Sequence, residues 1–141
     1  MSYKIEFKNY LDELHKSLCE VSDWMYENPE LGFEEFKTSK HLVDYIQKNS
    51  KSVNYPSHGL ETAFDVTFGD DGPLVVICVE YDALPEIGHA CGHNIIATAS
   101  IGAGLGLKDI ASKLGIRVKL LGTPAEEGGG GKIILIDEGA F

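Results

Sequence analysis

Two short apolar runs, separated by a glycine-punctuated loop and a helix-length segment, constrain the fold of this chain most strongly. Leu74 to Val79 and Val118 to Leu121 each have the composition of a buried strand. The segment from Asn94 to about Leu114 predicts a helix, with Asn94 as its capping residue. Strand, helix and strand in this order predict a βαβ unit with parallel strands. The loops that follow the two strands should therefore meet at one edge of a sheet.

Three further segments have helical patterns. Apolar residues recur every three or four positions over residues 4–27, which predicts an amphipathic helix that ends before Pro29. A second helix is predicted over residues 33–48, with Phe36 among its inward-facing side chains. A short last helix is predicted over residues 132–138.

One further strand is predicted ahead of the βαβ unit. Residues 62–68 alternate between apolar and polar side chains, which is typical of a half-buried strand. The turn over residues 69–73 predicts that this strand pairs with residues 74–81 as an antiparallel hairpin. Three glycines inside the helix of the βαβ unit indicate a close approach to a sheet or another backbone, namely Gly102, Gly104 and Gly106.

Length, charge and cysteine content exclude several classes of function. The chain has 141 residues, enough for one domain. Its net charge is −10 and it lacks a basic cluster, which argues against binding to nucleic acid or to anionic membranes. No apolar run approaches the roughly 20 residues that span a bilayer. Three irregularly spaced cysteines form no disulfide framework, so we expect a cytoplasmic location.

Potential metal ligands follow the first strand of the βαβ unit. Cys91 and His93 offer a thiolate and an imidazole, which favour zinc or a similar transition metal. Asp82 is suited to orienting a ligand, although it also fits an ordinary turn carboxylate. Cys91 equally fits a small buried side chain. His89 could contact a substrate or form a hydrogen bond within its own loop. Glu80 lies on the apolar strand and fits a buried partner for a neighbouring group.

Paired carboxylates follow the second strand. Glu126 and Glu127 precede four glycines, which allow a backbone to approach a ligand closely. In an exposed loop the two carboxylates would simply be solvated. Beside a metal loop, one would bind the metal and the other would take a proton from an activated water. The sequence therefore predicts a hydrolytic metal site at this edge of the sheet.

Four motifs together resemble the metal-dependent amidohydrolases and peptidases related to hippurate hydrolase, aminobenzoyl-glutamate hydrolase and aminoacylase, the M20 peptidase family. The motifs are Tyr81–Pro85, Gly88–Asn94, Gly122–Lys132 and the early segment Asn28–Glu35. Within the family the chain is most similar to the dipeptidase branch. That branch is associated with dipeptides that have a basic C-terminal residue.

The resemblance implies roles for five residues. Glu126 matches the general base and Glu127 a metal ligand. Cys91 and His93 match the Cys/His ligand pair, and Asp82 matches an aspartate near the metals that would orient a ligand. The implied cofactor is a divalent metal, with Zn²⁺ expected and Mn²⁺ or Co²⁺ as alternatives. The implied reaction is hydrolysis of the amide bond in a small dipeptide or N-acyl amino acid.

The resemblance also implies an architecture. The family has an α/β, phosphorylase/hydrolase-like mixed sheet with flanking helices, and its members are much longer than this chain. They insert a lid and dimerisation domain, then complete the catalytic domain. Residues 1–141 are thus expected to be the N-terminal part of an incomplete catalytic domain, without the lid domain and the C-terminal catalytic part. The parent enzyme is expected to be a homodimer.

Two alternatives remain open at the level of sequence. The first is a catalytically inactive fragment that acts at most as a metal-binding or interaction module, because further metal ligands lie in the parts of the family that this chain lacks. The second is an unstable fragment, since the last strand would present an unpaired edge, which invites aggregation.

Overall fold

The fold is an α/β arrangement, described here for residues 2–141 from a computed structural model. The helices are α1 (Tyr3–Glu27), α2 (Phe36–Asn49), α3 (His93–Leu107) and α4 (Gly131–Asp137), and a short 3₁₀ helix covers Ser112–Leu114. The strands are β1 (Phe64–Phe68), β2 (Leu74–Val79) and β3 (Arg117–Gly122). No helix in this part of the chain combines the length and apolar character needed to cross a membrane.

The predicted βαβ unit is confirmed. β2 and β3 are parallel neighbours, with Leu74 opposite Arg117 and Val79 opposite Gly122, and α3 connects them. The strand order is β1-β3-β2, so β3 is the central strand. Both predicted site loops therefore leave the sheet at the same edge, immediately after Val79 and Gly122.

The predicted antiparallel hairpin is wrong. β1 pairs antiparallel with β3 instead, with Phe64 opposite Gly122 and Phe68 opposite Val118. The turn between β1 and β2 is tied to the start of β3, because the Arg117 N–H donates to the Pro73 carbonyl at 2.9 Å. β3 consequently enters between two strands that are adjacent in sequence. The predicted unpaired edge of the last strand is wrong for the same reason.

The central strand is buried on both faces of the sheet. Val118 and Leu120 belong to the main core, which includes residues of α1, α2 and α3. Leu121 belongs to a smaller cluster on the other face, together with Leu135 of α4. Lys119 interrupts the apolar residues of this strand, and its ammonium donates to the Ala140 carbonyl oxygen at 2.8 Å.

The first two helices lie close to their predicted positions. In α1, Leu14, Val21 and Met25 are buried along the predicted stripe. α2 begins three residues later than predicted, since Phe33 has a φ of +65°, which is incompatible with a right-handed helix. Phe36 was expected to face inward but is 48% exposed, because it lies at the first position of this shortened helix.

The capping role predicted for Asn94 is wrong. Gly92 occupies the N-cap position with a φ of +83°, and α3 already begins at His93. The Asn94 amide instead donates to the Ser22 hydroxyl of α1 at 3.0 Å. α3 also ends at Leu107 rather than near Leu114, because the chain turns there and buries Ile110 and Ala111.

The glycines of α3 mark close packing, as predicted. A methyl group added at Gly104 would lie 2.5 Å from the Cγ atom of Leu120, which is fully buried in β3. The added methyl groups at Gly102 and Gly106 would meet side chains of α1, those of Leu18 and Phe7. The absence of side chains at these three glycines therefore allows α3 to lie close to the sheet and to α1.

We expect Gly104→Ala to destabilise the protein although alanine favours helix formation. Overpacking of a core costs about 1–3 kcal/mol, whereas the gain in helix propensity is about 1 kcal/mol. The midpoint of urea denaturation should fall. The half-buried Ser100→Ala in the same helix is the matched control, and its midpoint should stay equal or rise. An increased midpoint for Gly104→Ala would contradict the close packing.

Candidate metal centre

The two loops that follow β2 and β3 are joined where the strands end. The Thr123 N–H and hydroxyl both contact the Val79 carbonyl oxygen, at 2.8 and 3.1 Å. This continues the parallel pairing by one residue beyond the sheet. The loop after β2 then leads into α3, while the loop after β3 leads into α4. Side chains more than thirty positions apart in sequence are thereby brought within a few ångströms.

His93 lies at the centre of the site and is almost fully buried, with 4% of its side chain exposed. Its Nδ1 atom is 2.8 Å from the Asp82 carbonyl oxygen, which can only accept a hydrogen bond. Nδ1 therefore carries the proton, and in the neutral ring Nε2 presents its lone pair. Nε2 faces carboxylate oxygens of Glu80 at 3.6 Å, Glu126 at 3.7 Å and Glu127 at 3.9 Å.

This arrangement fits a divalent cation. One nitrogen of His93 and one oxygen each of Glu126 and Glu127 lie within 4.8 Å of one another. The carboxylates stand beyond hydrogen-bonding distance of Nε2, which leaves space for a cation, and imidazole nitrogen and carboxylate oxygen are both ligands that zinc accepts. Among the residues that the structure describes, Asp82 Oδ1 is a buried atom that makes no hydrogen bond. Carboxylates gathered this closely are stabilised by a bound cation.

Asp82 contacts both sides of the cluster. Its Oδ2 atom accepts a hydrogen bond from the Glu127 N–H at 2.9 Å, and its Oδ1 atom lies 3.2 Å from His93 Nδ1. The side chain is fully buried. Asp82 therefore lies where it can fix both the imidazole ring and the loop that carries the paired glutamates.

Cys91 lies beside the cluster but outside the group formed by His93, Glu126 and Glu127. It is exposed, and the nearby Glu127 carboxylate raises the pKa of its thiol. The structure thus brings Cys91 next to one predicted ligand without bringing it into the carboxylate–imidazole group.

Two charged residues of the site were not predicted as site residues. The Lys132 ammonium is 2.6 Å from Glu80 Oε1 and 3.9 Å from Glu126 Oε1. Glu80 was predicted only as a buried partner for a neighbouring group, and in the structure it forms an ion pair with Lys132. The available sequence signals were a charged residue at the end of an apolar strand and a lysine directly after the glycine run.

His89 does not join the cluster. It is 6% exposed and lies near His93. Burial, followed by the charge of nearby His93, lowers the pKa of His89. A neutral imidazole buried close to the site is consistent with its exclusion from the predicted ligands.

Comparisons with known proteins agree in sequence and in fold. The chain is 40% identical to Xaa-Arg dipeptidase of Mus musculus over 145 aligned positions, covering 93% of this chain and 34% of that protein. It is 31% identical to a p-aminobenzoyl-glutamate hydrolase protein of Escherichia coli, covering 86% of this chain and 29% of that protein. No family model matches the sequence.

A solved structure with a similar fold belongs to a described peptidase family. A Bacillus subtilis protein described as a dinuclear metal-binding peptidase of the M20 family superposes with a TM-score of 0.82 at 25% identity, over 92% of this chain and 40% of that one. The chain is therefore similar in fold to part of this M20 peptidase and in sequence to part of the two relatives named above. It spans about a third of the length of those two relatives.

The raised pKa of the Cys91 thiol, caused by the nearby Glu127 carboxylate, predicts slow alkylation of Cys91 in the metal-free protein. The thiolate is the reactive form, and a raised pKa reduces its fraction at a given pH. Glu127→Gln removes the negative charge, so the rate of iodoacetamide labelling at Cys91 near pH 8 should increase. Peptide mass spectrometry measures this rate separately for each cysteine.

Glu61→Gln is the matched control for this labelling experiment. It removes one carboxylate at an exposed position outside the site and should leave the rate at Cys91 unchanged. Equal rates in the wild-type protein and Glu127→Gln would show that the carboxylate does not act on the thiol.

Proposed function

We propose that this chain contributes the catalytic centre of a metal-dependent hydrolase that cleaves the amide bond of a small dipeptide or N-acyl amino acid. The observation that carries the proposal is the convergence of Glu126 and Glu127 on the Nε2 atom of His93. Such a centre needs a ligand set and a free base side by side, and the paired glutamates supply both in adjacent residues.

In this proposal His93 and Glu127 hold the metal, and Cys91 joins them from the rim of the site. Zn²⁺ suits the mixed nitrogen, oxygen and sulfur donors, with Mn²⁺ or Co²⁺ as alternatives. A divalent metal held there supplies Lewis acidity, which polarises an amide carbonyl and makes a water more acidic. Asp82 orients His93 through the backbone carbonyl and holds the Glu127 amide through the side chain.

Glu126 is the general base in this proposal. Its side chain is 39% exposed, so water and substrate can reach it, whereas that of His93 is 4% exposed. Glu126 takes a proton from the attacking water and then passes it to the nitrogen of the leaving amine. The Lys132 ammonium, 3.9 Å away, contributes positive charge on the side of Glu126 that faces Glu80.

The names of two relatives support the proposed substrate class. The Mus musculus relative is named for cleaving Xaa-Arg dipeptides, and the Escherichia coli relative for cleaving p-aminobenzoyl-glutamate. Both names describe amide bonds in small molecules that end in an amino acid. We assign this chain to the dipeptidase branch, with a basic C-terminal residue in the substrate.

The proposal includes the setting of the site. We assign residues 1–141 to the N-terminal part of a catalytic domain, with a lid and dimerisation domain and further ligands supplied by additional sequence, and with a homodimeric enzyme. The match to about a third of each relative supports this assignment. A cytoplasmic location is included because an exposed free thiol such as Cys91 persists best in a reducing compartment.

Glu126→Gln should abolish zinc-dependent hydrolysis while zinc binding is retained. Removing a general base lowers kcat by about 10²–10⁴-fold, and Glu126 is not among the proposed ligands. Hydrolysis of β-alanyl-lysine and of a hippurate would be measured with and without added zinc. Zinc affinity would be measured separately by calorimetry.

Glu61→Gln serves again as the matched control and should retain full activity. Unchanged turnover in Glu126→Gln would refute the assignment of the base. Tight zinc binding by the wild-type chain without any turnover would favour the alternative of a metal-binding module.

A further inference from the structure

We propose that Glu35 is a positioning residue for the general base, because it holds the backbone of the residue that precedes Glu126. The inference rests on the proposed function, since it assigns Glu35 a role in placing that base. Glu35 lies in the segment Asn28–Glu35, at the end of the turn that precedes α2. It is separated from the paired glutamates by about ninety positions, yet it contacts their loop directly.

The contacts of Glu35 are specific. Its side chain is fully buried. Oε1 accepts a hydrogen bond from the Ala125 N–H at 2.8 Å, and Oε2 accepts one from the Thr62 hydroxyl at 3.0 Å. Burial raises the pKa of this carboxyl. Burying a carboxylate is unfavourable, so a position that served only packing would be better filled by an apolar side chain.

The residue that Glu35 holds is strained. Ala125 has a φ of +54°, in the left-handed region that a residue with a Cβ atom rarely adopts, and it is fully buried. Such a conformation persists only where the surroundings impose it. Gly32 and Gly129 enclose the Ala125 side chain, since a methyl group added at either would lie 2.9 or 2.5 Å from its Cβ atom.

Two buried carboxylates therefore hold the loop on either side of the base. Glu35 accepts from the Ala125 N–H, and Asp82 accepts from the Glu127 N–H. Glu126 lies between these two anchored amides, which leaves few backbone directions open to it. Glu35 thus anchors the side nearest the base, and Asp82 anchors the side nearest the proposed ligand.

The same N-terminal turn also holds the other site loop. The Ala83 N–H, next to Asp82, donates to the Glu30 carbonyl at 2.8 Å, and Leu31 forms a bridge with Ala83. The turn that begins at Asn28 thus contacts both loops of the site while its own side chains remain outside the cluster. This accounts for a motif that the proposed chemistry itself does not use.

Glu35→Leu and Glu35→Gln separate positioning from packing. Leucine fills the space without accepting the Ala125 N–H, whereas glutamine keeps an oxygen for that hydrogen bond and an amide for the Thr62 hydroxyl. In the complete zinc-loaded enzyme, we expect kcat to fall about 10- to 100-fold in Glu35→Leu, because small displacements of a catalytic group are costly. In Glu35→Gln, kcat should stay within about threefold of wild type, as the contact that sets the geometry is kept.

Three further measurements distinguish a positioning role of Glu35 from a loss of stability. KM and zinc affinity should stay near wild type in Glu35→Leu, whereas Asp82→Asn should lower zinc affinity. Ile46→Val, at a fully buried position of α2, is the matched control, with a lower melting temperature and an unchanged kcat. If Glu35→Leu does not fold, Thr62→Val is measured in its place. A lower kcat at unchanged KM in Thr62→Val supports the role of Glu35, and an unchanged kcat overturns it.

An unchanged kcat in a folded Glu35→Leu protein would overturn the inference. An equal loss of kcat in Glu35→Leu and Glu35→Gln would also overturn the inference. Both results leave the proposed function standing as long as Glu126→Gln is inactive. Activity in Glu126→Gln would instead refute the proposed function, which separates the two failures.

Discussion

The parallel pairing of β2 with β3 is the constraint on which the site depends. It ends with Val79 opposite Gly122, so one loop brings Asp82 and His93 to the same place to which the other brings the paired glutamates. α3 can connect the two strands at this short distance because Gly104 lets it lie against Leu120. The core of the protein and the geometry of the site thus have a common origin in the βαβ unit.

The site concentrates negative charge around one imidazole. Four carboxylates, those of Glu80, Asp82, Glu126 and Glu127, lie near His93, with one ammonium from Lys132 among them. Carboxylates this close together repel one another and are unfavourable without a compensating cation. The fold holds Asp82 by a hydrogen bond from the Glu127 amide and places a strained Ala125 next to Glu126, which is the kind of local cost that functional sites bear.

Much of this could be predicted from the sequence, because the relevant signals were local. The apolar runs predicted β2 and β3, and parallel topology then implied that the Cys91 loop and the Glu126 loop would meet. The prediction of an antiparallel hairpin between β1 and β2 was wrong because a turn between two strands carries no information about a third strand that enters between them. Glu35 was missed as a contact of the loop, since its partner Ala125 is ninety positions away and offers only a backbone amide.

The central claim is that this sheet edge is a divalent metal centre, and anomalous diffraction from zinc-soaked crystals tests it most directly. The account predicts a peak about 2.0–2.2 Å from His93 Nε2 and from a Glu127 carboxylate oxygen, the ordinary zinc–ligand distances. The peak should vanish in His93→Ala crystals. Zinc bound only elsewhere, for example at the exposed pair of His15 and Cys19, would contradict the account.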